Sequence, residues 1–268
     1  MSKKTFSLLL SMVISLHASQ ILAENVITIL DVYDNLGYQE GLKTDHGFSC
    51  LIRGTEKTIL FDTGAHGRIL MDNLGKLNID PALIDIVVLS HIHWDHIGGL
   101  HAFLEKNPRV TLYVPRSFLK MQDFTESIQG FDPRVIAVAD PQPVCRDVYS
   151  TGMMGTRLHE QALVIRTEKG SIVITGCAHP GIVEIVKKSK EVVKGDTLLV
   201  MGGFHLLNHD RVRVDETIRM FRELGVHYVG PCHCTGDMAI RLFKETYQDH
   251  FIAMGVGRTV IPSELKSP

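Results

Sequence analysis

The chain has 268 residues, 44 % of them hydrophobic and 22 % charged, which is ordinary for a globular enzyme of one large domain or two small ones. Its formal charge of −2 favours neither nucleic acid nor an anionic membrane as a partner, since both ask for a basic surface. A small-molecule substrate fits that balance better.

The first 23 residues stand apart. Lys3-Lys4 precede an apolar run from Phe6 to Leu16, then come His17-Ala18-Ser19-Gln20 and Ile21-Leu22-Ala23. This order predicts a secretory signal peptide and a secreted or periplasmic protein. The run falls short of the roughly 20 apolar residues a bilayer crossing needs, so no stable membrane insertion is expected after cleavage. Cleavage after Ala23 leaves Glu24 first, with Ala18 as a second position and an uncleaved anchor as the other reading. Removing Lys3 and Lys4, the only charges in that stretch, takes the formal charge to −4. Residues 24–268 remain as one expected domain.

Five cysteines in an oxidising compartment cannot all pair within one chain. Cys232 and Cys234 are one residue apart, which strains a bond between them, while Cys50, Cys145 and Cys177 read as buried thiols. The core, not a disulfide framework, is expected to hold the fold.

From Val26 onward, β-branched runs alternate with amphipathic stretches. Strands are predicted at 27–32, 49–52, 58–61 and 84–89, the last running directly into a histidine cluster. A helix is predicted from Arg68 to Leu77 and another from Gly98-Gly99 through about Lys106. Later strands fall at 111–114, 134–138, 162–166, 171–175, 198–201 and 226–229, with helices over 182–193 and 211–224. No linker or repeat divides the chain, so sheets inside and helices outside are expected in one α+β domain.

The chemistry concentrates in Ser90-His91-Ile92-His93-Trp94-Asp95-His96-Ile97-Gly98-Gly99. In an extended segment residues i and i+2 point the same way, so His91 and His93 can offer imidazoles to one ion. A turn into the following helix swings Asp95 and His96 towards a neighbouring position. Three imidazoles and a carboxylate suit zinc, with manganese or iron as alternatives. Read blandly, the same residues form a solvated loop after a buried strand.

This cluster resembles the His-x-His-x-Asp-His signature of the metallo-β-lactamase superfamily, and Leu60-Phe61-Asp62-Thr63-Gly64 resembles that family's first motif. The resemblance implies a four-layer αββα sandwich over residues 24–268 with a pair of divalent metal ions at one edge. By position it implies that His91 and His93 serve the first metal, Asp95 and His96 the second, and that Asp62 supports the metal loop. No Gly-His-Thr motif follows. Instead come Thr175-Gly176-Cys177-Ala178-His179-Pro180-Gly181, Gly202-Gly203-Phe204-His205-Leu206 and Gly230-Pro231-Cys232-His233-Cys234-Thr235-Gly236. These, with His46-Gly47-Phe48-Ser49 and Glu160-Gln161-Ala162-Leu163, resemble the dihydropterin-ribofuranosylaminobenzene-phosphate synthase-like branch.

On that basis His179 completes the first site and His233 the second, against the bland readings of a helix-entry residue and of a neighbour to a functional Cys232/Cys234 pair. Cys177 stands where relatives carry a bridging Asp; it reads as a small buried residue, with a thiolate ligand as the other reading. His205 reads equally as a substrate-contacting group and a strand-end residue. Glu160 and His46 read as partners that orient ligands. Trp94 reads as the mouth of the site or as packing beside it, and His66, His101, His159, His209, His227 and His250 as surface or core.

The expected function is metal-dependent hydrolysis of a small-molecule ester, lactone, thioester or phosphoester by a hydroxide that the metals generate, with Asp95 and His205 in catalytic roles. Two alternatives are a pterin-type transferase or synthase, as in the branch just named, and a non-catalytic metal or redox sensor built on Cys232-His233-Cys234. A synthase using phosphorylated pterin precursors fits poorly with export.

Overall fold

A computed structural model describes residues 26–267, and the expected signal peptide, 1–23, lies outside the described residues. In chain order the elements are β1 (Thr28–Tyr33), β2 (Ser49–Arg53), β3 (Ile59–Phe61), α1 (Gly67–Lys76), β4 (Ile86–Val88), α2 (Trp94–Ile97), α3 (Leu100–Leu104), β5 (Thr111–Pro115), α4 (Gln122–Ser127), β6 (Arg134–Val138), β7 (Gln142–Cys145) and β8 (Val148–Ser150). The second half supplies β9 (Leu163–Thr167), β10 (Gly170–Thr175), α5 (Ile182–Val192), β11 (Thr197–Gly203), α6 (Arg211–Glu223), β12 (Val226–Cys232), α7 (Asp237–Tyr247) and β13 (Thr259–Val260).

Two mixed sheets form, in the orders β13-β1-β2-β3-β4-β5-β6 and β12-β11-β10-β9-β8-β7. Their central strands are buried on both faces, and side-chain alternation sorts them into layers. Ile59, Phe61, Ile86 and Val88 of the first sheet meet Ile172, Ile174, Leu199 and Met201 of the second in the central core. The intervening Leu60 and Val87 point outward against Leu70, Leu74, Leu100 and Phe103 of α1 and α3. On the far side Val173 and Val200 pack against Ile182, Val186, Ile218 and Phe221 of α5 and α6. Three apolar seams between four layers give the αββα sandwich that the resemblance implied.

Each of the ten predicted strands overlaps an observed one. The hairpin β7–β8 and the two-residue β13 were not predicted; they are short, and Pro143 interrupts the first. Helix α7 was not predicted either, although Ala239, Leu242 and Phe243 recur at helical spacing and are buried. The helix expected from Gly98-Gly99 starts earlier, with α2 beginning at Trp94 and α3 following at Leu100. The two glycines are needed for close approach: a Cβ on Gly98 would lie 2.0 Å from the Ala65 carbonyl oxygen, and one on Gly99 2.1 Å from that of Thr63. The change from extended chain to helix therefore falls at His93.

Among the described residues no helix is long and apolar enough to cross a membrane. Ile174 is fully buried between the sheets, so Ile174→Ala should cost about 2–5 kcal/mol in denaturant unfolding. A cost near zero would contradict a packed inter-sheet core.

Candidate metal centre

Strand directions bring the ligand-type residues to one edge. β3 and β4 run parallel, as do β10, β11 and β12, and the residues after their C-terminal ends are Asp62, His91, Cys177 to His179, His205 and His233. β1 runs the same way as β3 because β2 is antiparallel to both, so Asn35 follows β1 at this edge and His46 precedes β2 there. Among the non-glycine residues at positive φ are Asp62 (56°), Ala178 (64°), His205 (54°) and His233 (47°). Backbone held in that sparsely populated region is costly and concentrates at functional sites.

The cluster divides at His93, where the chain enters α2. His91, His93 and His179 form one group, with His91 Nε2 3.2 Å from His93 Nδ1 and ring centroids 4.6–4.8 Å apart. Asp95, His96, Cys177 and His233 form the second. Here His96 Nε2 is 3.2 Å from His233 Nε2, and Cys177 Sγ is 3.3 Å from each. Asp95 Oδ2 lies 3.2 Å from His233 Nε2 and 3.5 Å from His96 Nε2. Ligands about 2.1 Å from a tetrahedral ion stand ~3.4 Å apart, which these separations match. The His91 and His96 rings are 4.1 Å apart, so the groups adjoin.

Four of the five imidazoles, all but His93, are fixed from behind. Asp62, fully buried, accepts from Ser90 N (2.6 Å), Ser90 Oγ (2.7 Å) and His96 Nδ1 (2.7 Å). Because the Ser90 hydroxyl donates to Asp62, its oxygen accepts from His91 Nδ1 at 2.9 Å, which leaves His91 Nε2 as a lone pair facing the group. Glu160 accepts from the backbone N–H of Cys177 (2.9 Å), Ala178 (2.8 Å) and His179 (2.8 Å) and from His179 Nδ1 (2.9 Å). His233 Nδ1 donates to Asn35 Oδ1 at 2.9 Å. Holding the remote nitrogen of an imbedded imidazole is how proteins aim metal ligands.

The electrostatics agree with cation binding. Burial, then the charge of His96, holds His91 well below the usual histidine range, and burial with His179 lowers His93, so both are neutral donors. Burial opposes charge on Asp95, but hydrogen bonds from His233 and His96 hold its carboxyl well below the ordinary range. A carboxylate that reluctant to protonate in the metal-free protein suits a metal ligand. Burial also opposes charge on His96, yet Asp62 and Asp95 outweigh it and push the imidazole up to about 10 in the metal-free protein. Burial, then Cys234, pushes the Cys177 thiol up. Cys177 thus stands inside the second donor group and not merely beside it.

A cavity of about 360 Å³ opens over both groups, with His46, Trp94, His179, His205, Leu207 and His209 in its wall. Trp94 (57 % exposed) and Leu207 (60 %) give it an apolar rim. His205 lies in this wall, its ring 4.4 Å from that of His179 and its imidazole grouped with the thiols of Cys177 and Cys234. His209 also lines the cavity and His66 lies 6.0 Å from the Trp94 ring, so these two surface histidines border the site. Cys234 faces Cys177 and His205, whereas Cys232 faces Asp31 and Asp34; the two do not act as one pair, and all five cysteines are free. A larger cleft of about 570 Å³ lies at the other end of the second sheet near Arg166 and Lys169, with no His or Cys in its wall.

Asn35 and Ser90 were not singled out in the sequence. Ser90 precedes the cluster directly, and Asn35 carried only the signal of a polar Asp34-Asn35 pair ending an apolar strand.

The model of the metallo-beta-lactamase superfamily matches residues 42–246, and the chain belongs to that superfamily. It is 30 % identical over 274 aligned residues, 85 % of this chain and 93 % of the relative, to 7,8-dihydropterin-6-methyl-4-(beta-D-ribofuranosyl)-aminobenzene-5'-phosphate synthase of Methanocaldococcus jannaschii. A solved structure described as a metal-dependent hydrolase of the beta-lactamase superfamily superposes with a TM-score of 0.74 at 27 % identity, over 87 % of this chain and 98 % of that one. The metallo-beta-lactamase fold protein YhfI of Bacillus subtilis gives 0.64 at 14 % identity over 87 % and 99 %. Proteins of this fold family bind divalent metals, and both His-rich groups offer donors of the right kind.

Two outcomes follow from the supports. Glu160→Ala strips four donors of their acceptor, and at about 1–3 kcal/mol for even one buried group left unpaired, thermal melts should show a severe loss. The His96 value is raised above the 6.5 of a free imidazole to about 10. Its charged pair with Asp62 therefore stabilises metal-free protein fully below pH 6.5, and that contribution fades as pH rises through 10. Chelated protein should lose melting temperature from pH 7 to 10, and Asp62→Asn should flatten the loss; an unchanged slope would refute the pairing.

Proposed function

We propose that this protein is a metal-dependent hydrolase, using two divalent ions, zinc in the first instance, on a small-molecule ester, lactone, thioester or phosphoester outside the cytoplasm. The observation that carries the proposal is the asymmetry of the centre. His91, His93 and His179 supply three donors, whereas Asp95, His96, Cys177 and His233 supply a full set of four, and the cavity opens over both groups. Catalytic zinc sites keep a position open and structural ones close it.

Metal ions held there would supply a water of lowered pKa and polarise an electrophilic oxygen. The chain's own residues do the rest. Ser90, Glu160 and Asp62 hold the donor imidazoles at fixed tautomers. Trp94 and Leu207 offer the apolar part of a substrate a surface at the rim, and their removal of water strengthens every polar contact below. His205, at the wall next to His179, is placed to donate a proton or hydrogen bond to a substrate oxygen.

A second reading, synthase chemistry on a phosphorylated pterin, draws on the 30 % identity to the Methanocaldococcus jannaschii synthase. Against it, among the described residues the wall of the cavity contains no Lys or Arg for a phosphate. Arg213 lies in a neighbouring cleft and is paired with Glu216 at 2.8 Å.

Metal analysis joined to an assay panel of esters, lactones, thioesters and phosphodiesters tests the proposal. Chelation should abolish hydrolysis and zinc should restore it, while His91→Ala and His93→Ala should each lower turnover by several orders of magnitude in folded protein. Full hydrolysis by metal-free protein would sink the proposal. Condensation of a pterin diphosphate without any hydrolysis would favour the second reading.

A further inference from the structure

Asn35 touches two histidines with the two ends of one amide. Its Oδ1 is 2.9 Å from His233 Nδ1 and 3.0 Å from the Gly47 nitrogen, and its Nδ2 is 3.3 Å from His46 Nδ1. Which end is oxygen is settled by the backbone, because the Gly47 N–H can only donate. That donor has no freedom to withdraw: Gly47 sits at φ +137°, and a Cβ there would lie 2.5 Å from the Asp95 carbonyl oxygen. The Asn35 loop is pinned in turn by Asp34, whose Oδ1 accepts from Leu36 N at 2.8 Å.

The protons then follow. Facing an acceptor, His233 carries a proton on Nδ1 and turns Nε2 to Asp95, His96 and Cys177. Facing a donor, His46 leaves Nδ1 bare and carries its proton on Nε2, which lies 3.2 Å from Asp95 Oδ2. Asp95 has no other use for a proton from His46 than to accept its hydrogen bond.

We propose that Asn35 is a positioning residue that sets Nδ1 of two neighbouring imidazoles oppositely, protonated in His233 and bare in His46, so that His233 turns Nε2 to the centre as a ligand and His46 is the hydrogen-bond donor that steers the Asp95 carboxylate. The ligand half rests on the metal-centre reading above; the Nδ1 states themselves belong to the metal-free protein. His46 is half exposed and lines the cavity, so the same amide also fixes a ring in the wall that a bound substrate would meet.

The test uses 15N-histidine spectra of chelated full-length protein, assigned with His46→Gln and His233→Gln, and a zinc titration. Wild type should show His233 protonated on Nδ1 and His46 on Nε2. Asn35→Asp keeps the acceptor for His233 and Gly47 but replaces the donor to His46 by an acceptor, so His233 should keep its Nδ1 proton and His46 should gain one on Nδ1 while still donating from Nε2 to Asp95. Asn35→Leu should weaken the second zinc equivalent by about 10–100-fold and spare the first. His46 protonated on Nδ1 in wild type, or an Asn35→Leu protein that binds its second zinc normally, would overturn the inference. Wild type that binds no metal would defeat the proposed function while the tautomer spectra still decide the role of Asn35. Should Asn35→Leu fail to fold, the Asn35→Asp and wild-type spectra decide it alone.

Discussion

The centre depends on one buried carboxylate. Asp62 leaves β3 at positive φ, and its two oxygens gather the Ser90 backbone, the Ser90 hydroxyl and the His96 imidazole. Ser90 passes the constraint to His91, so one acid orients a donor in each metal group. The second sheet closes on the same point, since a Cβ on Gly176 would lie 2.1 Å from Ser90 Oγ and 2.9 Å from Asp62 Oδ2. A glycine there lets Cys177, Ala178 and His179 come down beside the His cluster. The sandwich is thus fastened at its functional edge by polar contacts and along its length by the apolar seam between the sheets.

Positioning is repeated with different chemistry on each side. Glu160 gathers three successive backbone N–H groups and the His179 ring, while a neutral amide, Asn35, does the same for His233. The choice matters electrically. A buried anion beside His179 compensates a group with no carboxylate donor of its own, whereas the His233 side already contains Asp95. The four-donor group and the three-donor group are therefore unequal in charge as well as in donor number, and the cavity opens over both.

Much of this was legible in the sequence because it is local. His91-Ile92-His93 alternation and the Asp95-His96 step state two directions in six residues, and the layers follow from runs such as Ser171 to Thr175, apolar at every central position. Alternating burial of Ile172, Val173 and Ile174 between two cores is the tertiary form of that run. What was not legible depends on contacts between distant segments. Asn35 and His233 are 198 residues apart, and no periodicity announces their bond. Cys177 was ambiguous for the same reason: its place among His96 and His233 is set by Gly176 and by the start of the loop that Glu160 grips. Helix α7 has the right apolar spacing but follows a turn-rich motif that carries the stronger signal.

The unequal centre is tested most directly by X-ray absorption at the metal edge of zinc-loaded protein. One sulfur scatterer at ~2.3 Å shared over two zinc ions, with nitrogen and oxygen filling the remainder, is expected, and it should vanish in Cys177→Ser. A shell of nitrogen and oxygen alone in the wild-type protein, with Cys177→Ser indistinguishable from it, would contradict the four-donor group.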